Sequence, residues 1–254
     1  MAVWCLQFDN QENCFAAKSK HKFYFEGVMI PFDRGPIDKD PIYDTGYHSQ
    51  RHANLVNDDG YFWARAEASA RLYFPAVKHS KRIIEYGCGI GQGIACLPNA
   101  AGWDVSSEAR DYCRRRNLEV YDEIGAIPKR AWDVVLCRHT LEHLETPLEH
   151  LKLMRELLND DGELYLIVPR EKHYSSSFEP DLNQHLYCWN FRALNNLLVR
   201  AGFKPYRNYY VYVLGYRVLL PLRRLLGSSA YFYATILVGY LKRNGELVVR
   251  AKRI

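Results

Sequence analysis

Cysteine occurs seven times in this 254-residue chain, yet no two cysteines form a Cys-x-x-Cys pair. An odd number of thiols, mostly set inside apolar runs, argues against a disulfide framework and for reduced cysteines in a cytoplasmic protein. Cys5 and Cys14 have no second pair nearby, which argues against a zinc knuckle. The segment Met1 to Asn10 lacks a basic stretch followed by a long apolar core, so no secretory signal is expected. Long apolar runs are missing too. Ala230 to Leu241 is the most apolar, and its 12 residues include three tyrosines, too few to cross a bilayer. The net charge of +5 is spread along the chain without a basic block or an RNA-stacking motif, so nucleic acid is not indicated as a partner. There is no internal repeat and no low-complexity segment.

What is present is ordinary globular material, 48% hydrophobic and 25% charged. Up to about Val77 the chain reads as irregular, punctuated by Pro31, Pro36, Pro41 and Asp58-Asp59-Gly60 and rich in aromatic residues. Within it, Tyr61 to Phe74 has helical spacing, with Phe62, Ala66, Ala70 and Tyr73 on one face. From Arg82 onward short apolar runs alternate with amphipathic ones. Strands are expected at Ile83–Tyr86, Gly102–Val105, Leu118–Tyr121, Asp133–Cys137, Glu163–Val168, Asn208–Leu214 and Glu246–Lys252. Helices are expected at Gly91–Leu97, from a cap at Ser106 or Ser107 to Arg115, at Pro147–Leu158, Phe191–Ala201 and Val218–Arg243. Strands separated by single helices imply right-handed crossovers and a doubly wound α/β fold whose seven-stranded sheet is mostly parallel.

The most informative stretch is Glu85-Tyr86-Gly87-Cys88-Gly89-Ile90-Gly91, where a buried strand runs into glycine at every second position. Glycine supplies left-handed backbone and lets something approach the chain closely. A phosphate-binding P-loop needs a lysine that does not follow here. The dinucleotide fingerprint needs Gly-x-Gly-x-x-Gly, and neither frame closes, because Gln92 and Ile94 stand where the last glycine belongs.

The frame that fits is acid-x-Gly-x-Gly-x-Gly, from Glu85 to Gly91, which resembles the first motif of the class I S-adenosylmethionine-dependent methyltransferases. Further segments strengthen the likeness: Gly102-Trp103-Asp104-Val105, with Asp104 19 residues after Glu85; Leu118-Glu119-Val120-Tyr121-Asp122; Trp132 to Leu144; and Leu157-Leu158-Asn159-Asp160-Asp161-Gly162. Gln184-His185-Leu186-Tyr187 and Ala201-Gly202-Phe203 are similar to the branch acting on small molecules and sugars. The resemblance covers about Arg82 to Phe203. It implies a Rossmann-like methyltransferase domain over 81–254, with a helical cover about 216–243 and residues 1–80 as a cap that shapes the substrate pocket. It implies S-adenosylmethionine as cofactor, held by Glu85, Gly87, Cys88, Gly89, Gly91, Asp104, Asp122 and Arg138. Asp104 would hold the ribose hydroxyls, and Asp122 would reach the adenine amino group in competition with Glu123. The expected acceptor is a small metabolite, including a sugar or glycosylated precursor, and a homodimer is a candidate assembly.

His139-Thr140-Leu141-Glu142-His143 also satisfies the inverted zinc-protease pattern, with two imidazoles and a carboxylate at helical spacing. That reading makes the chain a zinc hydrolase, though the pattern follows a parallel strand in a cofactor-type domain. In the methyltransferase reading no metal is expected. There, Glu142 and His143 brace the loop while His139 faces the pocket mouth, or His139 or His143 acts directly. His185, after the fifth strand, is the candidate general base, with a structural role as the alternative. A chain that binds the cofactor without catalysing transfer is the third possibility. Tyr43, Tyr47 and Tyr61 are candidates for cation–π contact with the sulfonium. Leu220 to Leu241, flanked by Arg223, Arg224, Lys242 and Arg243, reads as a cover over the sheet, with a membrane or subunit contact as the rival.

Overall fold

A computed structural model describes residues 24–25, 28–29, 43, 46–75, 80–171 and 185–254. Cys5, Cys14 and Gln184 lie outside the described residues. The chain forms two compact units, Met1–Arg34 and Gly35–Ile254. In the first, strands β1 (Tyr24–Phe25) and β2 (Val28–Met29) pair antiparallel, Tyr24 opposite Met29.

The second unit is built on seven strands: β3 (Ile83–Tyr86), β4 (Ala100–Trp103), β5 (Glu119–Tyr121), β6 (Trp132–Arg138), β7 (Leu158–Pro169), β8 (Phe203–Tyr212) and β9 (Gly245–Arg253). They lie in the order β5-β4-β3-β6-β7-β9-β8. The first five are parallel, and β9 is antiparallel to both β7 and β8. The expected seven-stranded, mostly parallel α/β sheet is therefore present, mixed at one edge. The chain reverses direction between β3, which pairs with β4, and β6, which pairs with β3 on its other side. Open α/β sheets bind ligands at such a switch point, beyond the carboxyl ends of the strands.

Both faces of the central strands are buried, which is why they read as unbroken apolar runs. Ile84, Tyr86, Val135, Cys137 and Leu166 point into one core with Leu151, Met154, Leu194 and Leu198 of the helices α5 (Pro147–Leu157) and α6 (Phe191–Arg200). Their neighbours Ile83, Val134, Leu136 and Ile167 point the other way, against Tyr73 and Phe74 at the end of helix α3 (Asp59–Tyr73). Each fully buried Ile or Leu of this kind contributes about 1.5–3 kcal/mol of transfer free energy. The two short helices α1 (Tyr47–Arg51) and α2 (Ala53–Val56) precede α3.

The cap at Ser106 falls where the sequence places it, and Asp58, which reads as loop punctuation in the sequence, supplies another. Asp58 accepts from the Tyr61 amide at 2.9 Å, and Ser106 accepts from the Ala109 amide at 3.2 Å to start α4 (Ser107–Arg115). Three expectations need correction. Gly91–Leu97 is a chain of turns, because Gly91 is left-handed (φ 83°) and Pro98 blocks extension. Strand β8 begins at Phe203, not Asn208, and tolerates Pro205 because it is an edge strand with a bulge between Pro205 and Arg207. Helix α7 (Leu220–Leu241) is broken at Gly227, whose φ of 83° and ψ of 174° are not helical.

Candidate active site

Gly87, Gly89 and Gly91 all have positive φ (75°, 51° and 83°), so the turn after β3 is one that only glycine adopts cheaply. Space around them differs. A methyl on Gly87 would overlap Thr140, and one on Gly91 would overlap Leu118 and Cys113, so both serve the packing of the chain itself. Among the described residues a methyl on Gly89 would meet only the His48 ring, at an ordinary 3.5 Å. His48 is thus the wall against Gly89.

Asp104, just beyond β4, is buried and pins this loop. One oxygen accepts from the Gly89 amide at 2.7 Å, the other from the Ser106 amide at 2.9 Å, and His48 Nε2 lies 3.9 Å away. A carboxylate offers about four acceptor positions, so about two remain on Asp104, the number a vicinal diol requires. Gly89 without a Cβ, backed by a buried carboxylate with acceptor capacity left, fits the cofactor that the resemblance implies.

The remaining cofactor candidates are placed differently. Glu85 is buried beneath the turn, where a methyl on Gly93 would overlap its carboxylate, and it pairs with Arg138 at 3.4 Å. Burial raises its pKa to about 7 against the opposing pull of Arg138. Arg138 is itself buried, with a second contact to Ser69 at 3.4 Å, so these two residues form an internal ion pair. The Cys88 thiol is buried against Gly102 and points to the Gly89 carbonyl at 3.6 Å. Asp122 has a 71% exposed side chain bonded to Arg114, with Arg110 at 3.5 Å. Arg110 links it to the first site by donating to the Asp104 carbonyl at 2.6 Å.

The loop after β6 closes the other side. The Thr140 hydroxyl donates to the Gly87 carbonyl at 3.2 Å, joining the two loops. His139 is left-handed (φ 52°), and Leu141–His143 makes one tight 3₁₀ turn. The inverted zinc-protease pattern therefore does not become a helix carrying two imidazoles on one face, and that reading is corrected. The left-handed residue breaks the periodicity it needs. His139 Nε2 instead meets Glu246 of β9 at 2.9 Å, with Nδ1 3.6 Å from Glu142. Burial works against charge on this ring, but Glu142 and Glu246 outweigh it and raise its pKa to about 9.

Glu142 is fully buried at the centre of a histidine cluster. His143 Nε2 and His185 Nε2 each lie 4.0 Å from Glu142 Oε1, and the two rings are 4.7 Å apart. His185 is held from behind, its Nδ1 2.5 Å from Glu171. The Leu186 and Tyr187 amides donate to the Glu142 carbonyl at 2.8 and 3.3 Å, so the segment after β7 is tied to the loop after β6. Tyr43 sits edge-on to His143, ring centres 5.8 Å apart. Structure thus brings His143 and His185 together and turns His139 toward Glu246. Reading the sequence missed His48 and Glu246. The only signals for them were a histidine in an aromatic-rich stretch and one acid opening the last apolar strand.

A family model described as a methyltransferase domain matches residues 58–207. No curated protein matches the chain. Among solved structures, an S-adenosylmethionine-dependent methyltransferase of Thermotoga maritima is 17% identical, with a TM-score of 0.58 over 84% of this chain and 98% of that one. The 1,6-didemethyltoxoflavin N1-methyltransferase of Burkholderia thailandensis, bound to S-adenosylhomocysteine and its substrate, is 17% identical, with a TM-score of 0.52 over 82% and 84%. At these identities the likeness is one of fold.

Proposed function

This chain belongs to the methyltransferase-domain family, and from that premise we propose that it methylates a small molecule held between the glycine turn and the Glu142–His143–His185 cluster. The observation that carries this reading is the Thr140–Gly87 hydrogen bond, which sets the cofactor turn and the histidine cluster side by side.

S-adenosylmethionine, when bound, supplies a methyl group on a sulfonium already activated toward displacement. The protein's part is then alignment and exclusion of water. Gly87, Gly89 and Gly91 shape the turn that admits the cofactor, and Asp104 accepts from the ribose hydroxyls. The Glu85–Arg138 pair fixes the turn from below and Cys88 packs behind it. Asp122, just beyond β5, would hold the adenine amino group. Helix α1 covers the turn, its His48 lying against Gly89. On the acceptor side His143 and His185 face the substrate, and His185, fixed by Glu171, withdraws its proton when the acceptor is a hydroxyl or phenol. His139, paired with Glu246, holds the loop in place.

A sugar or glycosylated metabolite is the acceptor class this reading favours, by analogy with the branch that the Gln184 to Phe203 stretch resembles. The Burkholderia structure holds 1,6-didemethyltoxoflavin, which accords with a small acceptor. The reaction belongs in the cytoplasm, in keeping with the free thiols Cys88, Cys96, Cys113, Cys137 and Cys188. Calorimetric titration with S-adenosylhomocysteine tests the cofactor half, with micromolar binding expected. Release of S-adenosylhomocysteine over a panel of sugars, phenols and amines tests the acceptor half. Turnover confined to a macromolecular acceptor contradicts the proposal.

A further inference from the structure

We propose that Glu142, His143 and His185 bind one divalent first-row transition metal of the zinc or ferrous class on the acceptor side of the site. One oxygen of Glu142 and one nitrogen of each imidazole lie within 4.8 Å of one another. Two imidazoles and one carboxylate are a donor set for such metals, whereas magnesium and calcium take oxygen. The set leaves coordination positions open for water or substrate, as catalytic centres do.

Three further observations support the assignment. First, Glu142 is fully buried, and among the described residues neither of its oxygens has a hydrogen-bond partner at ordinary distance. A buried carboxylate left in that state is costly unless a cation compensates it. His139 does not supply this fully, because Glu246 lies closer to it (2.9 Å) than Glu142 does (3.6 Å). Second, a carboxylate only accepts hydrogen bonds, so the 2.5 Å contact with Glu171 fixes the proton of His185 on Nδ1. The lone pair of Nε2 then faces the Glu142 oxygen across 4.0 Å, two electron-rich atoms with room for an ion between them. Third, a carboxylate behind a ligating imidazole is the usual outer support of a metal-bound histidine, and Glu171 stands in that place. Donor atoms around zinc lie about 3.3 Å apart, so the 4.0 Å separations from Glu142 to each imidazole would close by about 0.7 Å on binding and the imidazole pair, within 4.8 Å, by up to about 1.5 Å.

The site's existence is independent of the methyltransferase reading, but its use rests on it. An acceptor hydroxyl coordinated beside the glycine turn would lose its proton to solvent water at lower pH, since a bound cation stabilises the oxyanion. With the metal bound, His143 and His185 hold the cation that promotes this deprotonation, in place of His185 acting alone as the base.

The test uses the full chain, stripped with a chelator and titrated by calorimetry with zinc and with cobalt(II), whose visible absorption reports an imidazole-carboxylate environment. One equivalent is expected. Affinity should fall at least about tenfold in Glu142→Gln and in His185→Asn, and about 10–100-fold in Glu171→Gln. His139→Gln should keep the metal. A folded wild-type protein that takes up neither metal overturns the proposal, as does binding that both Glu142→Gln and His185→Asn leave unchanged. Should either variant fail to melt cooperatively, His143→Asn supplies the second ligand test. S-adenosylhomocysteine titrated into the same samples separates the two readings. Cofactor binding without metal sinks only this inference, and metal binding without cofactor sinks only the function proposed above.

Discussion

His139 carries a proton that the unfolded chain would hold less tightly. Its folded pKa is raised to about 9 from 6.5, so the folded state binds more protons between those values and stability falls as pH rises through them. The contribution is complete below pH 6.5 and gone above about pH 9. The ring is 39% exposed, so solvent screening reduces the effect to about 1 kcal/mol. Thermal melts from pH 6.5 to 9 should show the decline, and His139→Gln should flatten it; an unchanged slope in the variant would contradict the ion pair with Glu246. Glu85 works in the same direction at lower pH. Its carboxyl, raised by burial to about 7, gives a folded state that loses stability from about pH 4.5 to 7. At Gly93 the constraint is steric, because an added methyl runs into the buried Glu85 carboxylate. Gly93→Ala should cost about 1–3 kcal/mol in chemical denaturation, the range for an overfilled core.

The turn after β3 is the element on which cofactor binding depends, and Asp104 is its anchor. Asp104→Ala removes the acceptor of the Gly89 amide as well as the proposed ribose contact. Affinity for S-adenosylhomocysteine should drop by about tenfold or more, since one charge-assisted hydrogen bond is worth about 1.5–3 kcal/mol. Retained affinity in calorimetry would move the ribose elsewhere. Helix α7 offers a second element-scale test. Gly227 sits in backbone space that is essentially restricted to glycine, yet an added methyl there meets nothing within 4 Å. Gly227→Ala should therefore destabilise by about 1–3 kcal/mol through backbone strain alone. An unchanged melting temperature would mean that α7 straightens without penalty.

The strand order closes the unit Gly35–Ile254 around the site. Strand β9 inserts antiparallel between β7 and β8, setting Glu246 opposite Pro169, while the His139 amide bonds to the Ile167 carbonyl. That juxtaposition brings together residues 107 positions apart. It also ties α3 to the sheet, because the Tyr73 hydroxyl donates to the same Glu246 carboxylate. Since the cofactor binds only the folded unit, S-adenosylhomocysteine at a hundred times its dissociation constant should add about 2.7 kcal/mol to stability. For a unit of this size that raises the melting temperature by about 5–10 °C. At the same ligand concentration Asp104→Ala should cut the shift to about half or less, and an undiminished shift would show the ligand binding outside the glycine turn.

Local chemistry was enough to order the elements along the chain. Glycine spacing marks the turn after β3, Ser106 marks a helix start, and two-sided burial makes strands such as β6 legible as apolar runs. Asp104 is singled out by the resemblance to the methyltransferase family's second motif and not by local chemistry. Local patterns failed where the outcome depended on partners distant in sequence. The pattern His139 to His143 reads as a helical metal pair, and only the left-handed turn and the reach of β9 separate its two histidines. Arg138 and Glu85 look like cleft residues until the packing of α3 buries them together. Which side chains converge on Glu142 is set by strand order, because a hydrogen bond or a charge pair needs contact in space, and residue spacing along the chain does not encode it.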